Sequence, residues 1–214
     1  AGPTREPIDP VRFISNYSSG KMGYALAESA RNLGADVELI SGPVSIKMPE
    51  NIKITSVETS AEMLDAVLGK IPYCDVFISA AAISDYRPSH KLTEKHKSSD
   101  GELVIRLERG EDILKLAKET KAGLYAVGFS AETNNISDNA KIKLEKKNID
   151  MIISNEANHQ KGLGFESDMN EVCIIEKDSM LKIPKNTKKI IADIILSRIA
   201  KNIRGNLIKI KNAR

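Results

Sequence analysis

The stretch Asp75-Val76-Phe77-Ile78-Ser79-Ala80-Ala81-Ala82 decides how this sequence is read. Its apolar run does not alternate with polar residues, so both faces of a strand would be covered, as in a parallel strand with helices on each side. The run ends in tiny side chains and passes into Ile83-Ser84-Asp85-Tyr86-Arg87-Pro88. Bare backbone at a strand end leaves room for a ligand, and Asp85 there would accept from hydroxyls or hold a metal. The plainer reading is a packed strand and a surface turn.

Similar runs lie on either side. Residues 36–41 (DVELIS), stopped by Gly42-Pro43, residues 124–130 (LYAVGFS) and residues 149–154 (IDMIIS) read as strands. Between them come helical patterns. Residues 21–33 repeat Ala25, Leu26, Ser29, Ala30 and Leu33 on one face and stop at Gly34, and residues 61–70, 111–120 and 137–147 read as further helices. A long final helix over 187–203 carries Ile190, Ile191, Ile194, Ile195, Ile199 and Ile203. This alternation predicts an α/β fold: Rossmann-like, doubly wound, with a largely parallel sheet. Residues 83–107, with an alternating strand at 102–107, and residues 165–183, with a strand pair at 171–176 and 180–183, break the alternation and read as an arm or a small antiparallel extension. The domain is expected over 1–204, with a basic, frayed tail over 205–214. Ala1-Gly2-Pro3-Thr4 looks like the loop after a strand, so a fragment or a domain of a longer protein is expected.

Composition narrows the function classes. The 214 residues are 41% apolar and 29% charged, with 32 basic against 29 acidic residues and a net charge of +3. That near-balance argues against a nucleic-acid partner and suits an anionic small substrate. Cys74 and Cys173 form no CxxC pair and read as reduced thiols in the core. No signal peptide or membrane span is visible, so the cytoplasm is the expected location. His90, His96 and His159 lack metal-ligand spacing.

Ligands of such sheets sit beyond the carboxyl ends of the strands, near helix N-termini. Ile14-Ser15-Asn16-Tyr17-Ser18-Ser19-Gly20-Lys21-Met22-Gly23 offers backbone N–H groups and two glycines at a helix start. It reads as a phosphate or carboxylate loop, or as an N-cap with packing glycines. Val127-Gly128-Phe129-Ser130-Ala131-Glu132-Thr133 puts Phe129 where it would stack on a base, and Glu132 where it would meet a ribose, a metal or a proton; a buried Phe and a polar cap is the alternative. Lys91-Leu92-Thr93-Glu94-Lys95-His96-Lys97 reads as a phosphate lid or as a solvated charge run.

Taken in order, these segments resemble one family. Gly2-Pro3-Thr4-Arg5-Glu6-Pro7-Ile8-Asp9-Pro10-Val11-Arg12-Phe13-Ile14-Ser15-Asn16, running into Ser18-Ser19-Gly20-Lys21-Met22-Gly23, is similar to the opening of phosphopantothenate–cysteine ligases. Later matches are Ser41-Gly42-Pro43-Val44, Ala80-Ala81-Ala82 with Asp85-Tyr86-Arg87-Pro88, Glu94-Lys95 with Lys97, Val127-Gly128-Phe129 with Ala131-Glu132-Thr133, and Gly164-Phe165 with Asp168 and Asn170. The resemblance implies condensation of 4'-phosphopantothenate with L-cysteine through an acyl-cytidylate made from CTP, with Mg2+ on the triphosphate. It also implies a homodimer, and in many prokaryotes a flavin-dependent decarboxylase domain upstream. By the same resemblance Asn16 and Lys95 are catalytic. Arg12, Asn16 and Ala82 bind substrate. Ser18, Gly20, Ala81, Asp85, Gly110, Glu111, Asp112, Ile113, Phe129, Lys143 and Lys147 bind nucleotide, the last two sharing a helix face through their i, i+4 spacing. The lysine loop departs from the family in reading Lys95-His96-Lys97-Ser98, and residues 109–113 read Arg-Gly-Glu-Asp-Ile rather than Asn-Pro-Asp-Ile.

Two competing readings remain. One is an NAD(P)-dependent oxidoreductase, suggested by Ser19-Gly20-Lys21-Met22-Gly23; against it, the strand ending at Ser41-Gly42 has no acidic residue at its tip for a ribose. The other is a non-catalytic nucleotide-binding module.

Overall fold

Two-sided burial organises the sheet of this computed structural model, which describes residues 1–97, 101–132, 136–156 and 167–212. Five strands lie side by side: β5 (Val76–Ser79), β8 (Tyr125–Glu132), β9 (Met151–Glu156), β10 (Met169–Ile175) and β11 (Met180–Thr187). The first three run parallel, while β10 and β11 extend the sheet antiparallel. Successive residues of β8, β9 and β10 feed opposite cores. Tyr125, Val127, Met151, Ile153, Val172 and Ile174 pack with α1 (Lys21–Asn32) and α5 (Lys188–Asn212). Ala126, Ile152 and Ile175 pack with α2 (Ser60–Lys70), α3 (Ile113–Thr120) and α4 (Ile136–Lys147). Burial on both faces is why these strands read as unbroken apolar runs. The doubly wound α/β expectation holds, and the antiparallel extension is the β10–β11 pair.

A second parallel pair, β3 (Glu38–Ser41) with β4 (Lys53–Ser56), joins this sheet through residues 1–4. The Ala1 nitrogen donates to the Ile40 carbonyl at 2.7 Å and the Gly42 N–H donates to the Ala1 carbonyl at 3.0 Å. On the other side Ala82 N–H donates to Gly2 at 2.9 Å and Thr4 N–H to Ala82 at 3.2 Å. Ala1–Thr4 therefore act as a strand end between β3 and β5, not as a free loop. Beside Ala1, Leu26, Leu39, Met63 and Ile78 line an apolar cavity of about 700 Å³.

The arm expected over 83–107 is an antiparallel ribbon, and a second ribbon that was not expected packs beside it. β1 (Arg5–Asp9) pairs with β2 (Arg12–Ser15), and β6 (Tyr86–Pro88) with β7 (Leu107–Arg109). β1, β2 and β4 carried no clear strand pattern in the sequence, being short and in part proline-broken. At the β1–β2 turn, Asp9 accepts from the Val11 and Arg12 N–H groups, both at 2.9 Å, and from the Arg12 guanidinium. The Arg12 bond holds the Asp9 carboxyl down to about 2.

Two expectations shift, and others lie beyond the described residues. The strand placed at 102–107 forms at Leu107–Arg109, where its partner β6 is available. The last helix runs to Asn212, past the tail boundary at 205. Thr133–Asn135, His159 and the Gly164-Phe165 turn lie outside the described residues, as does the Glu132 side chain.

A Cβ on Gly42 would stand 1.8 Å from the Pro3 carbonyl oxygen, so Gly42→Ala must push β3 from residues 1–4. We expect a loss of about 3 kcal/mol in urea unfolding. Gly69→Ala, in α2 with nothing within 4 Å of the added carbon, should gain about 0.5–1 kcal/mol. An equal effect of the two would remove the steric account. Asp9 has a folded pKa near 2 against an ordinary 3.8, so its contribution is present above about pH 4 and disappears as pH falls toward 2. Asp9→Asn should lower the melting temperature at pH 7 and flatten its fall between pH 4 and 2.

Candidate active site

The sheet order places a topological switch point beside residues 1–4: the chain builds β3 and β4 on one side of them and β5, β8 and β9 on the other. Outside the carboxyl ends of the strands at this point opens a cavity of about 1160 Å³.

One wall is the start of α1. Gly20, with φ +76°, sits as N-cap in the left-handed region that side chains avoid, and no side chain caps this helix. A Cβ there would stand 2.6 Å from Val44, so the loop is closely packed as well as sharply turned. The helix start lines the cavity with Ser18, Ser19, Gly20 and Lys21. Asn16 stands at the rim, its amide donating to the Ala82 carbonyl at 3.0 Å. That bond ties the opening loop to the end of β5, where Ala80, Ala81 and Ala82 supply the bare wall expected of them. The Thr4 hydroxyl, fully buried, accepts from Ser84 N–H at 3.0 Å and holds the following turn.

The opposite wall comes from Asp85, Gly110, Glu111 and Asp112. Gly110 N–H donates to the Asp85 carbonyl at 2.8 Å, which brings the two segments together. Asp112 caps α3 by accepting from Lys115 N–H at 3.1 Å, and its other oxygen pairs with Lys147 at 2.9 Å. Ile113 turns its side chain into the α2–α3 core. Lys143 and Lys147 both line the cavity from α4, as their spacing predicts. The floor holds Phe129 and Ser130 of β8.

Besides Ile113, two expected residues stand outside this wall within a single chain. The Arg12 guanidinium is bound to Asp9 and donates to the His96 carbonyl at 3.0 Å. Lys95 is exposed on the loop that this bond secures. The asparagine-bearing and lysine-bearing segments do meet, through Arg12 to His96 and Leu92 N–H to Ile8 at 2.9 Å, but on the arm.

The structure also brings in Asn155 and Lys188, which the sequence did not mark, together with Lys21 and Asn170, which stand in its motifs without an assigned role. Lys188 is 7% exposed. Burial first, and then the Lys21 ammonium, push its pKa down to about 8, with Asp168 pulling the other way. Asp168 pairs with Lys21 at 2.6 Å, which lowers its carboxyl. The Asp168–Asn170 motif hinted at this end of the cavity, whereas nothing in the sequence near residue 188 marked a site. Both cysteines are half-buried, with pKa values raised mainly by burial, which suits core thiols and not nucleophiles. Among the described residues no group of three or more His, Cys, Asp or Glu converges as a metal cage.

Residues 1–203 match the DNA/pantothenate metabolism flavoprotein C-terminal domain. The chain is 45% identical over 202 residues to the coenzyme A biosynthesis bifunctional protein CoaBC of Bacillus subtilis, covering 94% of this chain and 50% of that protein. It thus spans about half the length of the curated relatives it matches. A crystal structure of the C-terminal domain of a CoaBC protein superposes with TM-score 0.80 at 41% identity, over 96% of this chain and 95% of that one. The fold is shared also with a Cab2 variant in complex with phosphopantothenate-cysteine, at TM-score 0.74 and 17% identity, over 96% of this chain and 86% of that one. The resemblance read from the collinear motifs is borne out, and the chain belongs to the family of DNA/pantothenate metabolism flavoprotein C-terminal domains.

Proposed function

We propose that this chain joins 4'-phosphopantothenate to L-cysteine, with CTP activating the acid, in coenzyme A synthesis. The observation that carries the reading is the switch-point cavity, where the Asn16 amide, the start of α1 and the Lys143–Lys147 face surround the bare backbone of Ala80–Ala82. The CoaBC relatives and the ligand named for the Cab2 variant support the same substrates. The remaining half of a CoaBC-like protein would carry the flavin-dependent decarboxylase.

In the first step a carboxylate oxygen of the acid attacks the α-phosphorus of CTP, the α–β bridging bond breaks, and pyrophosphate leaves. In the second, cysteine's amine attacks the acyl carbon, the bond to the cytidylate oxygen breaks, CMP leaves, and the amine proton passes to solvent. The α1 N-terminus and the lysines offset phosphate charge. Asn16 holds the acyl-cytidylate for amine attack, and Lys95 stabilises charge at the α-phosphate. Phe129 offers a face to the base, and the main chain at Gly110–Ile113 borders the nucleotide. A magnesium ion would offset the charge of the triphosphate, and Asp85 is a wall carboxylate that would hold it.

A homodimer accounts for the residues left outside the wall. Exposed apolar side chains gather on the arm: Val11, Phe13 and Tyr86, with Val104 (80% exposed) and Leu107 nearby. An arm of this character suits a second copy, which would bring Arg12 and Lys95 to a neighbouring cavity.

Asn16→Asp should still release pyrophosphate but slow amide formation about 100-fold, with the acyl-cytidylate accumulating in mass spectrometry. No accumulation would count against its role. Lys95→Gln should cut pyrophosphate release by about 100-fold, and unchanged release would exclude it from activation. CTP should outrun ATP in a coupled pyrophosphate assay. The chain should sediment as a dimer and Phe13→Asp as an inactive monomer; a monomeric but fully active parent would overturn the shared site.

A further inference from the structure

We propose that Asp9 is a positioning residue: its carboxylate, acting through Arg12, fixes the loop that carries Lys95. The proposal deepens the ligase reading and rests on it, and on the shared dimer site, for what Lys95 does once it is placed.

The turn between β1 and β2 divides the two oxygens of Asp9. Oδ1 accepts from the Val11 and Arg12 N–H groups, both at 2.9 Å, which is all that the turn itself requires. Oδ2 is given over to the Arg12 guanidinium, accepting from Nε at 2.9 Å and from Nη2 at 2.5 Å. Asp9 is 2% exposed, and a carboxylate that deep is kept where donors surround it. The Arg12 bond holds it down to about 2, so the pair stays ionised at any pH near neutrality.

Arg12 then reaches across the chain. Nη2 carries two hydrogens, one for Asp9 and one for the His96 carbonyl, to which it donates at 3.0 Å. Leu92 N–H donates to the Ile8 carbonyl at 2.9 Å. These bonds flank Lys95 in the loop, and both end within three residues of Asp9 on the arm. Residues 91–97 form neither helix nor strand, so the path of the loop is set from outside it. Through Leu92 alone the segment would swing about one point; the His96 bond supplies the second. A planar guanidinium gripped by a carboxylate aims its remaining N–H in one direction, which an ammonium on a flexible stem does not do.

Asp9→Asn isolates this relay. Asparagine keeps a carbonyl oxygen for the turn but puts an NH2 donor where the second oxygen faced Arg12. Pyrophosphate release from CTP and 4'-phosphopantothenate is measured on the full chain at saturating substrate, below every melting temperature, for the parent, Asp9→Asn, Lys95→Gln and the double variant. We expect Asp9→Asn to slow release about tenfold in the parent and at most about twofold in Lys95→Gln, because a misplaced lysine matters only where a lysine is present. The same tenfold loss in both backgrounds would mark a structural prop and overturn the proposal, as would unchanged release in Asp9→Asn. Arg12→Lys keeps a cation beside Asp9 but loses the fork. It stands in if Asp9→Asn does not fold, with the same dependence on Lys95 expected and the same outcomes against it.

Amide exchange reads the tether without chemistry. In Asp9→Asn the Leu92 N–H should exchange at least about fivefold faster. Ser89 N–H, bonded to the Arg106 carbonyl at 2.9 Å beside the β6–β7 ribbon, should keep its rate. Equal acceleration of both, or of neither, sinks the tether. If the parent releases no pyrophosphate, the ligase reading falls, and exchange alone then decides whether Asp9 holds the loop.

Discussion

The hydrogen bonds of residues 1–4 to Ile40 and Gly42 on one side and Ala82 on the other hold the structure together. They make one sheet of the β3–β4 pair and the five-stranded group, and they create the switch point at which the cavity opens. Gly42 permits the approach because any side chain would occupy the place of the Pro3 carbonyl. From the same anchor, Thr4 accepts from Ser84 N–H through its hydroxyl and from the Ser15 hydroxyl through its carbonyl, at 3.0 and 2.7 Å. A few contacts thus position both the loop that leads into α1 and the end of β5.

The cavity draws its chemistry from helix starts that are treated differently. α2 is closed by a Thr59–Glu62 capping box and α3 by Asp112, so their end charges are spent locally. α1 opens on Gly20 without a side-chain cap, and the positive end of its dipole faces the cavity that it lines. Lysines from α1, α4 and α5 stand around the same space. The result is a cavity rich in lysine in a chain whose net charge is only +3.

Much of this was legible beforehand because it is written locally. The unbroken runs at 75–82, 124–130 and 149–154 marked strands covered on both faces, and the small residues of 80–82 marked a wall with nothing standing on it. The Lys143–Lys147 spacing followed from helical pitch alone. Less legible were β1, β2 and β4, whose few residues carry no periodic signal and which form because a partner edge is near. The end of the last helix was also hidden, since Gly205 weakens a helix without ending it.

By itself, the sequence determined the layered α/β plan, the two apolar faces of each central strand and the motif order that marks the family, since all of these follow from side-chain type and spacing along one chain. Only the tertiary structure decided which charges meet. Lys21, Asn155, Asn170 and Lys188 are separated by up to 167 positions in the chain, and they line one cavity because strand register and the packing of α1 on α5 bring them there. The depth of burial that perturbs Lys188 belongs to that packing, which no local pattern encodes.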